Sequence, residues 1–197
     1  MAGVRKVLNV SVQSILLGVN RWEREFQKRG WAIAALKICG GVHPPTVLAG
    51  CARMAGTYLF RSFGLKLKGV KPGQAVLSAE AAEHSPMLVR IVAGILANLG
   101  VTIGSPPTGP LLDAKNKPVH EFLDTQRLLE ARFAPIQSKY ELTARQAAQA
   151  AVIATALLIH HFAKHLEPSA GFGVAAFAFA EGCQTAPDPV ILSNDAA

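Results

Sequence analysis

Two histidines, His161 and His165, stand four residues apart in the stretch LTARQAAQAAVIATALLIHHFAKHLE, residues 142–167. On a helix that spacing sends both imidazoles to one side, as two ligands of a single metal ion require. Two nitrogens do not make a site. One of Glu80, Glu83, His84, His120, Glu121 or Glu167 would have to complete the shell, and the chain has neither the Glu-x-x-His pairs of di-iron bundles nor H-E-x-x-H. The cofactor is left open, with a divalent metal conceivable but not favoured. Otherwise these histidines cap a helix end or lie at a subunit boundary.

Glu80 and His84 share a second helical face, with Glu83 beside them. An acid next to a histidine can do general acid/base work when it is buried and aimed at a substrate, although such side chains more often face solvent. For nucleophilic or nucleotide chemistry the sequence offers no G-x-S-x-G, no G-x-x-x-x-G-K-[ST] and no G-x-G-x-x-G. Cys39, Cys51 and Cys183 are odd in number, far apart and free of any C-x-x-C pattern. They are expected to be reduced thiols, mostly buried, in a cytoplasmic protein. Catalytic residues remain unassigned, and whether the chain is an enzyme stays open.

Charge is divided unevenly. Residues 1–75 carry twelve Lys/Arg against Glu23 and Glu25, a balance of +10, while the remainder carries eight against eleven acids, a balance of −3. The overall +7 therefore resides in the first half. Such asymmetry suits an acidic protein or a nucleic acid, with Arg53, Arg61, Lys66, Lys68 and Lys71 as the contacting side chains. Equally, the charge could be neutralised within the fold or in an oligomer.

The elements that must position these residues are almost all helical. Thr143 and Gln146 have the form of a capping box, Lys164 and His165 suit a C-terminal turn, and Pro168 to Gly171 cannot readily continue the helix. The stretch near 143–166 is therefore expected to be a central helix covered by others. Its Val152, Ile159 and Phe162 share one face, and Ala151, Leu158 and His161 share the next. A basic amphipathic helix is expected over about 4–36. Pro44-Pro45 opens a second helix to about Phe63, with Val47, Cys51, Met54 and Tyr58 as its core stripe.

The alternating GLKLKGVKPG of residues 64–73 reads as an extended basic connection. A short helix over 74–84 is expected to give way at Ser85-Pro86 to another, nearly apolar on every side, in which Ala93, Gly94 and Ala97 allow close approach to the central helix. After an irregular Pro/Gly-rich connection at 101–117, Pro118 opens a helix that Pro135 ends or kinks. A last helix is expected over 173–182 with Phe177 and Ala180 inward, and residues 185–197 as a loose tail.

These elements amount to an all-α, single-domain bundle of about six or seven helices over residues 1–184. No uninterrupted apolar run reaches the roughly 18 residues a spanning helix needs, and the N-terminus makes a poor signal peptide, so no transmembrane segment is expected. The surplus of apolar sequence points first to protein association, as a homodimer through the helix near 86–99 or the face carrying Leu158 and His161. Binding of nucleic acid or another polyanion is the first alternative. A metal-dependent or small-ligand-binding enzyme using His161 and His165 is the second.

Overall fold

A computed structural model describes residues 37–38, 41–104 and 114–189. They form one all-α domain of five packed helices. A two-residue antiparallel ribbon precedes it: β1 (Lys37–Ile38) and β2 (Gly41–Val42), with Lys37 opposite Val42. The expected helix over 4–36 and most of the irregular connection lie outside the described residues.

The first helix, α1 (Pro44–Ser62), begins as its sequence predicts, with prolines in the first two positions where no N–H partner is needed. Every residue of α1 from Pro45 to Phe60 is buried. This helix occupies the centre, which corrects the expectation that the stretch near 143–166 does so. Alanine does not separate the two helices, but glycine does: α1 carries Gly56, which admits the backbone of the helix over 168–184, and residues 144–161 contain none. The segment α4 (Ala144–His161) keeps an exposed strip of Arg145, Gln146, His160 and His161.

Three other helices complete the domain: α2 (Ala79–Asn98), α3 (Phe122–Lys139) and α5 (Pro168–Gln184). Contacts fix their directions. Arg53 and Arg61 of α1 reach Thr125 and Glu130 of α3 in the same order, and Leu48 and Gly56 lie against Gly171 and Gly182 of α5, so α1, α3 and α5 run parallel. Leu48 and Ile159 converge on Gly171, which brings the end of α4 to the start of α1, and α4 turns from α3 by 117°. His84 stacks on Phe63 at the end of α1, with ring centroids 5.8 Å apart, and the chain beyond α2 meets the start of α5 where the Gly104 N–H bonds Ser169 Oγ at 3.0 Å. Thus α2 runs against α1.

The closest approach is between α1 and α5. A Cβ on Gly182 would stand 2.5 Å from the Arg53 carbonyl oxygen, and one on Gly56 would stand 2.7 Å from that of Phe179. Only glycine fits at either position. The expected close approach at Gly94 is absent among the described residues, since a Cβ there meets nothing within 4 Å.

Several boundaries differ from the sequence reading, each for a local reason. Helix α2 is continuous from its Ser78 cap, whose hydroxyl accepts from the Ala81 N–H at 3.1 Å, and runs through Pro86 instead of restarting there. Pro86 cannot donate to the Ala82 carbonyl, but both residues lie on the exposed side, so the unused acceptor can be hydrated. Pro135 is likewise exposed, and α3 continues past it to Lys139. The capping box of α4 forms as predicted, with both reciprocal contacts between Thr143 and Gln146.

That helix ends at His161, short of the expected 166. The next residues turn instead, His165 N–H bonding the Phe162 carbonyl at 2.8 Å, while Glu167 caps α5 by accepting from Ala170 N–H at 2.8 Å. In α5 the residues facing inward are Gly171, Val174, Ala175, Ala178, Phe179, Gly182 and Cys183. This spacing turns Phe177 outward at 41% exposed and Phe179 inward at 1%, reversing the expectation for Phe177.

The chain after α5 is not loose where it begins. The Val76 N–H bonds the Gln184 carbonyl at 2.7 Å, Gly73 N–H bonds Ala186 at 2.8 Å, and Ala186 N–H bonds Gln74 at 2.9 Å. Residues 190–197 lie outside the described residues. Among the described residues no single helix is long and apolar enough to cross a membrane.

Candidate functional site

Two of the five basic residues singled out from the sequence are turned into the fold. Arg53 is 6% exposed and joins three helices: its Nε donates to Glu181 of α5 at 2.6 Å, and one terminal nitrogen donates to the His120 carbonyl at 2.5 Å and to Thr125 Oγ1 of α3 at 2.9 Å. A buried guanidinium is tolerated because its fork meets a carboxylate and two oxygens at once. The expectation of Arg53 as a surface contact is corrected by this burial. Arg61 is paired with Glu130 and also donates to the Asp188 carbonyl at 2.9 Å. Neither cation is presented freely to a polyanion.

Asp188 ties this end of the bundle together. Its N–H donates to Gln126 Oε1 at 3.0 Å and its carboxylate accepts from Arg127 Nε at 2.7 Å, while Gln126 donates to Glu130 at 2.7 Å. Beside the network the chain from Gly64 to Pro72 and the segment from Ala186 to Pro189 flank a groove of about 370 Å³, with Phe60 and Arg61 at its base. Leu65, Leu67 and Val70 line it half-buried, whereas Lys66, Lys68 and Lys71 project into solvent. The alternation read from the sequence thus separates an apolar lining from a basic rim. Among the described residues no carboxylate pairs with these three lysines.

The histidines and acids are not gathered. His161 closes α4 and His165 follows in the turn, both exposed, so the two no longer share one helix. Glu80 and Glu83 are exposed on α2, and His84 lies against Phe63. Among the described residues no group of three or more His, Cys, Asp or Glu is placed to hold a metal ion.

Cys51 and Cys183 are buried free thiols, and burial pushes each up to about 12. Such thiols stay protonated and are poor nucleophiles. A thiol-reactive dye at pH 8 is expected to find at most one of the three cysteines in the native protein, Cys39, and all three in denaturant. Because the folded state holds these protons where the unfolded chain releases them, stability should fall as pH rises from about 9 to about 12, as denaturant titrations would show. Burial raises the Tyr58 hydroxyl too, with the Glu130 charge adding and Arg61 opposing. Among the described residues neither Tyr58 OH nor Thr57 Oγ1 has a hydrogen-bond partner.

A different feature is the outer side of α2. Between Met87 and Leu99 its only charge is Arg90, yet only Leu88, Val92 and Leu96 are buried. Val89 and Ala93 are half-covered, and Pro86, Gly94, Ala97 and Leu99 are exposed, Leu99 by 39%. Of the other face considered for association, Leu158 and the alanines beside it on α4 are buried inside the domain, and His161 is exposed.

The carboxylates that absorb the basic charge, Glu130, Glu181 and Asp188, were missed in the sequence, where the surplus of Lys/Arg gave no sign of its partners. Helix periodicity placing Glu130 at the edge of the apolar side of α3 was the one available hint. The architecture is thus an all-α domain of five packed helices. The chain matches no family model, no curated protein and no solved structure.

Proposed function

We propose that the protein acts by association, with a second copy of itself as the partner and the outer side of α2 as the surface. What supports this is the small-residue stripe Ala93, Gly94 and Ala97, half-covered at Ala93 and exposed at Gly94 and Ala97, with the partly buried Val89 one turn before it. Two such helices related by a two-fold axis present the same stripe to each other, and Gly94, with nothing within 4 Å of its Cβ position, leaves room for a close crossing. Arg90 stands on the same face, one turn before Ala93 and Gly94, and its long stem lets the guanidinium reach water at the rim of the contact.

Sedimentation velocity at tens of micromolar protein is the test, with a dimer expected. Ala93→Glu, which places a charge in the contact, should weaken self-association at least about 30-fold while leaving the helical circular dichroism intact. A wild-type monomer at that concentration, or a variant that dimerises as well as the wild type, overturns the reading.

The polyanion reading is left with only Lys66, Lys68 and Lys71. Metal-dependent chemistry has two exposed histidines and no third ligand nearby among the described residues.

A further inference from the structure

We propose that the groove between residues 64–72 and 186–189 binds an extended, acidic and apolar segment of another protein. The lining and the rim differ in chemistry. Leu65, Leu67, Val70, Pro72 and Pro187 offer apolar surface in a cavity of about 370 Å³, large enough for a few side chains. Lys66, Lys68 and Lys71 stand exposed along its edge with no carboxylate partner among the described residues.

The other charges at the groove are already matched. Arg61 is engaged by Glu130 and by the Asp188 carbonyl, and the Asp188 carboxylate by Arg127, so the field a ligand meets comes chiefly from the lysines. An extended peptide with acids at alternate positions places them at the spacing of Lys66 and Lys68 and sends the intervening apolar side chains to the opposite side. A nucleic acid fits less well. The one aromatic residue of the lining, Phe60, is 3% exposed and offers no face on which a base can stack, and the leucines have nothing to meet on a phosphate backbone. No lining residue belongs to α2, so the proposal is independent of the dimer.

The test is fluorescence anisotropy of the full chain at low salt with three labelled probes: an eight-residue peptide alternating leucine and glutamate, an octaglutamate, and a single-stranded oligonucleotide. The alternating peptide is expected to bind at least ten-fold more tightly than either other probe. Lys66→Glu combined with Lys68→Glu should lower its affinity at least ten-fold, and Val70→Asp should do so without altering the rim charge. Unchanged binding by either variant, an oligonucleotide that binds as well as the peptide, or no binding because something else fills the groove would each overturn the proposal.

Discussion

Gly182→Ala is expected to cost about 3 kcal/mol or more, because the new methyl would stand 2.5 Å from the Arg53 carbonyl and 3.0 Å from the Gly56 Cα. The obstruction is backbone on a buried helix, so no side chain can swing aside to relieve it. Gly56→Ala should cost a similar amount, since its Cβ would meet the Phe179 carbonyl oxygen at 2.7 Å and the Cys183 nitrogen at 2.8 Å. The two helices would have to separate, and separation opens space along the rest of the contact. Gly94→Ala supplies the opposite case: with nothing within 4 Å and a helical position, alanine should stabilise by about 0.5–1 kcal/mol through helix propensity alone. Urea denaturation of the three variants, at submicromolar protein to keep self-association out of the comparison, should give losses at positions 56 and 182 and a gain at 94. Equal effects at all three would mean that α1 and α5 do not touch where their glycines meet.

Arg53→Met is the second large effect. Methionine replaces the apolar stem but leaves Glu181, Thr125 and the His120 carbonyl without the donor that joined them. Breaking a buried ion pair by removing one partner typically costs about 3–5 kcal/mol. Because the Glu181 side chain is 23% exposed, part of its charge is hydrated and the loss should fall toward the lower end of that range. Replacing both partners, Arg53→Met with Glu181→Leu, removes the stranded carboxylate and should be less harmful than Arg53→Met alone. A double-mutant cycle in denaturant checks this, and a double variant as unstable as the sum of its singles would show that the two side chains do not interact.

Both predictions concern residues whose importance the sequence hides. Capping chemistry was legible: Thr143 with Gln146 and the Pro44-Pro45 start each marked a helix end that the fold uses. So was the core stripe of α1, since Val47, Cys51, Met54 and Tyr58 are all buried. Local breakers were less reliable. Pro86 and Pro135 read as boundaries, but on the solvent side of a helix the acceptor that a proline leaves unused can be hydrated.

Centrality could not be read at all, because it depends on which helix has several neighbours, and both α1 and α4 are rich in alanine. Pairing was equally hidden. Arg53 and Glu181 are 128 positions apart in the sequence, and nothing local marks them as partners. The groove was half legible. The leucine–lysine alternation of residues 65–68 foretold two differing sides, but the opposite wall comes from residues 186–189, expected to be loose and in fact bonded to residues 73–76.

Hydrogen exchange read by mass spectrometry gives the most direct test that α1 is the helix about which the others assemble. The amides from Val47 to Phe60 should be the slowest in the chain and should exchange only with global unfolding, with those of α5 around Phe179 close behind. Residues 144–161 exchanging more slowly than α1, or α1 opening while the other helices stay protected, would contradict that architecture.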